Sequence, residues 1–113
     1  MSAIQLKTEL PGPKSRALYA RRLAAVPRGP YNASEIFVKE GRGALLTDVD
    51  DNRLLDFAGG IGCVNVGHAN EAVVKAATAQ LERFTHSCFH VTPYEAYVSL
   101  ASMSAPAQPI SRF

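Results

Sequence analysis

Residues 56–68 read Asp56-Phe57-Ala58-Gly59-Gly60-Ile61-Gly62-Cys63-Val64-Asn65-Val66-Gly67-His68. The run carries glycine at 59, 60, 62 and 67, almost no charge, and no helical period. Glycine at this density lets the backbone take positive φ and lets another backbone or a ligand come close. Flexible linkers are usually polar, so an apolar, glycine-rich run is expected to be buried, irregular chain beside a site. The lysine and Ser/Thr that complete a phosphate-binding P-loop are missing after it. The glycines are therefore read as conformational.

Working outward, the segments before the run alternate short apolar stretches with turn chemistry. Ile36–Lys39, Ala44–Asp48 and Arg53–Phe57 predict three strands, separated by Glu40-Gly41-Arg42-Gly43 and Val49-Asp50-Asp51-Asn52. The glycine and Asx residues suit tight turns, and a small antiparallel meander feeding the run is expected. Further upstream, Lys14–Val26 is rich in Ala, Leu and Arg and stops at Pro27, which disfavours a helical residue before it. Its apolar face is broken by Arg21 and Arg22. Residues 1–13 predict a flexible arm ending in Pro11-Gly12-Pro13.

Downstream, Asn70 is a good N-cap, and Val73, Val74, Ala77, Leu81 and Phe84 follow at helical spacing. Glu71 stands four residues before Lys75, the favourable order for an ion pair. Thr85–Val91 reads as extended, and Pro93 can open a last helix carrying Tyr94, Tyr97, Val98 and Ala101. Ser102–Pro109 has neither period nor charge, and residues 101–113 read as a disordered tail. The ordered part, 14–100, is an α+β set of small elements without a central sheet, which suggests part of a larger protein.

Composition narrows the function classes. A chain of 113 residues holds one domain at most, and 47% hydrophobic residues exclude a disordered chain. A net charge of +2 with scattered basic residues gives no stripe for nucleic acid. Cys63 and Cys88 do not make a disulfide framework. No apolar run approaches the about 18 residues of a membrane helix, and Met1–Leu10 shows no leader-like apolar core. A cytoplasmic protein with no nucleic-acid or membrane partner is expected.

Several blocks point together to one family. They are Ala24-Ala25-Val26-Pro27-Arg28-Gly29, Thr47-Asp48-Val49-Asp50, Leu55–Gly62, Val64-Asn65-Val66-Gly67-His68, and Phe84-Thr85-His86-Ser87-Cys88-Phe89-His90-Val91-Thr92-Pro93-Tyr94-Glu95. In this order and spacing they resemble the N-terminal part of class III aminotransferases, which use pyridoxal phosphate, and within them the 4-aminobutyrate group. The resemblance covers about Leu10 to Leu100. It implies a fold type I enzyme, α/β in its full length, working as a homo-oligomer, a dimer or tetramer. This segment would supply the first part of the small domain and the lead into the large one.

The implied reaction moves an amino group from a terminal amine such as 4-aminobutyrate to 2-oxoglutarate, with the cofactor as electron sink. In the family, the lysine that bonds the cofactor and the groups that hold its phosphate and ring nitrogen lie beyond position 113. Lys7, Lys14, Lys39 and Lys75 match none of them, so the resemblance assigns no catalytic and no cofactor-binding residue here, and the isolated chain is expected to be inactive. It does assign Ile61, which matches a substrate-contacting position. An aliphatic side chain there would pack on the methylenes of an ω-amino acid.

Cys88-Phe89-His90 resembles a segment lining the active-site region, with His90 in place of the family's common glutamine. Ala69-Asn70-Glu71 replaces the usual histidine-proline pair after Gly67-His68. Ser102–Phe113 leaves the family's course, as truncation, a shifted reading frame or a gene remnant would produce.

Plainer readings stand beside these. Ile61 could be ordinary turn packing, His68 a cap or turn residue, and Arg28 a solvated loop cation. Tyr94 and Tyr97 are expected to pack. His86, Cys88 and His90 would share one face of a strand and are zinc-ligand types, but no fourth ligand is evident. Alternative functions are transamination of another ω-amino acid such as 5-aminovalerate, a non-catalytic interaction module, and a small metal protein.

Overall fold

The computed structural model describes residues 3–104. The chain divides into two compact units, Met1–Lys75 and Ala76–Phe113. Among the described residues no helix is long and apolar enough to cross a membrane.

The first unit is built on a three-stranded antiparallel meander in the order β1-β2-β3, with β1 Val38–Arg42, β2 Leu45–Asp48 and β3 Arg53–Leu55. The meander was expected, but β1 lies further along the chain than predicted. Glu40, Gly41 and Arg42 pair with Thr47, Leu46 and Leu45. They are strand rather than turn, because the reversal falls on Gly43, at φ +56, and Ala44.

Helix α1, Pro13–Ala25, begins with proline at its first position and has no cap from its own N-cap residue, Gly12. The cap arrives from the β2–β3 turn. The Asp50 carboxylate accepts the Lys14 N–H at 2.7 Å and the Ser15 N–H at 2.9 Å. Burial works against that charge, but the two N–H groups outweigh it and hold the carboxyl below its ordinary range. At the other end the Val26 N–H returns to the Arg22 carbonyl, and Pro27 follows.

The same turn ties down residues 5–8. Lys7 and Thr8 N–H groups donate to Asn52 Oδ1 at 2.6 and 2.9 Å, and Asn52 Nδ2 donates to Thr8 Oγ1 at 2.8 Å. Gln5 bridges Arg53 through both backbone groups. The segment read as a flexible arm is therefore held to the β2–β3 turn and β3 by hydrogen bonds between groups more than forty residues apart. Asp48 closes the turn on itself by accepting from Asp50 N–H, Asn52 N–H and Asn52 Nδ2.

Ser15, Asp48, Asp50 and Asn52 are the buried polar residues, and no hydrophobic side chain among the described residues is fully buried. Each of these groups finds partners, as burial of polar atoms requires, and no buried side-chain polar atom is orphaned among the described residues. A hydrogen-bonded hub thus holds the first unit together.

Helix α2, Gly59–Gly62, is a single irregular turn, and helix α3, Glu71–Arg83, starts where expected. Asn70 Oδ1 accepts Ala72 and Val73 N–H at 3.1 and 3.2 Å, the predicted cap. Glu71 faces Arg42 at 3.4 Å instead of Lys75. Both partners are largely exposed, so the pair adds little.

In the second unit, Phe84, Phe89, Tyr94 and Tyr97 form an aromatic cluster, with Phe89 and Tyr97 ring centroids 4.3 Å apart. The packing expected of the tyrosines is present. The extended reading of Thr85–Val91 is not. Cys88 has φ 54, and its carbonyl accepts the Val91 and Thr92 N–H groups, making a turn. Ser87 and Thr92 side chains close it reciprocally. Helix α4, Glu95–Ser104, continues four residues past Leu100, where the tail was expected to begin. The rest of that expected tail, 105–113, lies outside the described residues.

Candidate functional site

The glycine run is not buried here. Phe57 and Ile61 are each 94% exposed. The run leaves β3 at Asp56, whose N–H donates to the Ala44 carbonyl. It returns at His68, whose backbone exchanges two hydrogen bonds with Gly43 at 2.8 and 2.9 Å. Between these anchors, Gly60 (φ 60, ψ 33) and Ile61 (φ 54, ψ 52) are both left-handed. That conformation is a genuine outlier for a β-branched residue. The Ile61 side chain stands exposed on this turn.

One carboxylate organises the run. Asp56 Oδ1 accepts Ala58 and Gly59 N–H at 3.0 and 2.9 Å, and Asp56 Oδ2 meets His68 Nε2 at 2.6 Å. An ionised carboxylate only accepts, so Nε2 carries the proton in this contact. The imidazole first, then the Gly59 and Ala58 N–H groups against the opposing effect of burial, hold the Asp56 carboxyl below its ordinary value. The His68 ring passes over β1, where a Cβ on Gly41 would stand 2.8 Å from His68 Cγ. Glycine at 41 is what lets the ring reach Asp56. His68 was expected as a cap or turn residue. Its side-chain partner lies twelve residues upstream, and the polar pair at the two ends of the run was its only sequence trace.

The run does not fit a phosphate. Its Ala58, Gly59, Ile61, Gly62 and Val64 N–H groups already donate within the segment, and the Asp56 charge sits at its base. Lys39 does not fit a cofactor-bonding role. The hydrogen bond and charge of Asp51 raise the pKa of Lys39 against the effect of burial, the opposite of what an amine nucleophile needs. Lys14 lies on α1, Lys75 on α3 and Lys7 on the tied-down N-terminal segment. The described residues therefore do not form a pyridoxal phosphate site by themselves.

Ile61 lies in the first unit and Cys88-Phe89-His90 in the second. The turn at Cys88 removes the shared face on which His86, Cys88 and His90 would have met, and no metal-binding group of three or more His, Cys, Asp or Glu occurs among the described residues.

Comparison with known proteins places this arrangement. The family described as Aminotransferase class-III matches residues 26–112. The chain belongs to that family. It is 46% identical over 97 residues to the 4-aminobutyrate aminotransferase of Mycobacterium tuberculosis H37Rv, covering 86% of this chain and 22% of the relative. To the 5-aminovalerate aminotransferase of Pseudomonas putida KT2440 it is 44% identical over 86 residues, 76% of this chain and 20% of the relative. The chain thus spans about a fifth of the length of these curated relatives, and it corresponds to their N-terminal part.

Among solved structures, an omega-transaminase from Sphaerobacter thermophilus superposes with TM-score 0.72 at 25% identity, over 83% of this chain and 22% of that one. A transaminase with PLP bound gives TM-score 0.69 at 30% identity, over 79% and 22%. The α+β arrangement expected for this part of a transaminase is therefore the one observed.

Proposed function

We propose that this chain forms the N-terminal part of a pyridoxal-phosphate-dependent ω-amino acid:2-oxoglutarate aminotransferase, with 4-aminobutyrate as amino donor and Ile61 as a substrate contact. The identity of 46% to a 4-aminobutyrate aminotransferase over 86% of the chain carries this reading. The exposed aliphatic side chain at the head of the glycine turn supports the assignment of Ile61. The remaining part of a class-III enzyme supplies the cofactor site, including the lysine, and the assembled enzyme is a homo-oligomer. The isolated chain is inactive, because its described residues do not assemble a site for the cofactor by themselves.

5-Aminovalerate is the second reading, favoured by the 44% identity to the Pseudomonas putida enzyme. The two donors differ by one methylene, worth only about 1–3 kcal/mol of discrimination in an apolar pocket.

The test is a chimera in which residues 26–100 replace the matching segment of the Mycobacterium tuberculosis enzyme. The chimera is expected to form glutamate from 4-aminobutyrate and 2-oxoglutarate. Ile61→Ala is expected to raise KM for the amine on the order of tenfold, from lost apolar contact. A chimera whose KM ignores Ile61→Ala would overturn the contact, and turnover by the isolated chain would overturn the division of labour.

A further inference from the structure

The Ile61 backbone sits in a region that a β-branched residue avoids, and nothing packs on its side chain to hold it there. The hydrogen bonds inside the run, Ile61 to Ala58, Val64 to Gly59 and Gly67 to Val64, are local and move with it. Among the described residues, the backbone bonds that anchor the run at the meander are the Asp56 N–H on Ala44 and the Gly43–His68 pair, and a side-chain contact, the His68 imidazole on the Asp56 carboxylate, is added to them. The last of these joins the start of the run to its end.

The same carboxylate reaches inward with its other oxygen to the Ala58 and Gly59 N–H groups, which fixes the first corner of the turn. With the imidazole on Oδ2, the carboxylate plane is set and Oδ1 stays aimed at that corner. Gly41 leaves space for the ring to make this contact.

We propose that Asp56 and His68 are positioning residues, a clasp that holds the Gly59–Gly62 turn in the conformation that presents Ile61. The clasp touches no substrate and moves no proton. It rests on the reading above only in taking Ile61 as the substrate contact. Without the His68 donor the carboxylate is free to rotate, the corner loosens, and Ile61 relaxes toward ordinary backbone geometry.

The test reads the turn directly, by amide hydrogen exchange and backbone chemical shifts of the chain in solution. It uses no activity, so its outcome stands apart from the transaminase reading. In His68→Ala, the Gly59 amide is expected to exchange on the order of tenfold faster, while the Asp50 and Asn52 amides, bonded to Asp48, keep their rates. Ile61 shifts should move away from left-handed values. His68→Gln, whose amide can still donate to Asp56, is expected to return Gly59 to within about twofold of wild type.

Unchanged Gly59 exchange in His68→Ala would overturn the proposal, as would His68→Gln behaving like His68→Ala. If His68→Ala also loses Asn52 protection, His68→Gln decides: retained Gly59 protection supports the clasp, and its loss refutes it.

Discussion

Replacing Gly12 by alanine isolates the link between the β2–β3 turn and helix α1. Gly12 has φ −73 and ψ 174, extended backbone that alanine adopts freely, so the substitution adds no conformational strain. Its effect is steric. A Cβ at this position would stand 2.3 Å from Asp50 Cγ, 2.5 Å from Oδ2 and 2.6 Å from Asp50 Cβ. Carbon atoms rest at about 3.5–4.0 Å, so the carboxylate has to leave.

Its departure strips the start of α1 of both acceptors, at Lys14 N–H and at Ser15 N–H, and Ser15 is fully buried. Loss of a helix cap costs about 0.5–2 kcal/mol, and a buried donor left unpaired costs about 1–3 kcal/mol. These describe one event and are not summed, and about 2 kcal/mol is expected. Gly29→Ala is the control, since nothing lies within 4 Å of its added Cβ. Urea unfolding followed by helical circular dichroism should separate the two variants by about 2 kcal/mol, and exchange at Lys14 and Ser15 should accelerate in Gly12→Ala alone. Equal stability of the two variants would refute the capping role given to Asp50.

Gly67→Ala should open the Gly43–His68 pair, because its Cβ would meet Gly43 Cα at 2.9 Å and its φ is +83; a loss of at least about 1–2 kcal/mol is expected, with faster exchange at Gly43. Asn70→Ala should remove the α3 cap, costing about 1 kcal/mol and showing as fraying at Ala72 and Val73. Acid should release the turn. The Asp56 carboxyl lies below its ordinary value of 3.8 in the folded chain, so the unfolded chain takes up the proton first. The stability that Asp56 contributes is complete above that ordinary value and is lost as pH falls through the lower folded one. Gly59 exchange, corrected for its intrinsic pH dependence, should accelerate over that acid window.

The elements that sequence reveals are those written in local chemistry. The meander follows from short apolar stretches between turn residues, and the α3 start follows from Asn70 ahead of a helical stripe. Where a local rule met a distant partner, the reading fell short. Val49-Asp50-Asp51-Asn52 reads as a turn and is one, but its capping of α1 and its hold on Lys7 and Thr8 join residues 35 to 45 positions apart. Periodicity carries no trace of such contacts.

Thr85–Val91 reads as extended, which would put His86, Cys88 and His90 on one face. The Ser87–Thr92 side-chain closure and the left-handed Cys88 decide otherwise. At the candidate site, Gly59, Gly60, Gly62 and Gly67 all take positive φ, and that conformational role of the glycines was legible. The exposure of Phe57 and Ile61 was not, because an apolar run announces that it will be covered without saying which part of the molecule covers it.

The polar hub has a consequence for how this chain tolerates change. Ordinarily an oily interior is the conserved investment and the hydrophilic exterior drifts. Here Ser15, Asp48, Asp50 and Asn52 carry the shape while the large aliphatic residues face outward, so the hierarchy is inverted. Directional bonds tolerate few replacements, so substitutions at those four positions are felt more than exchanges among the exposed aliphatics.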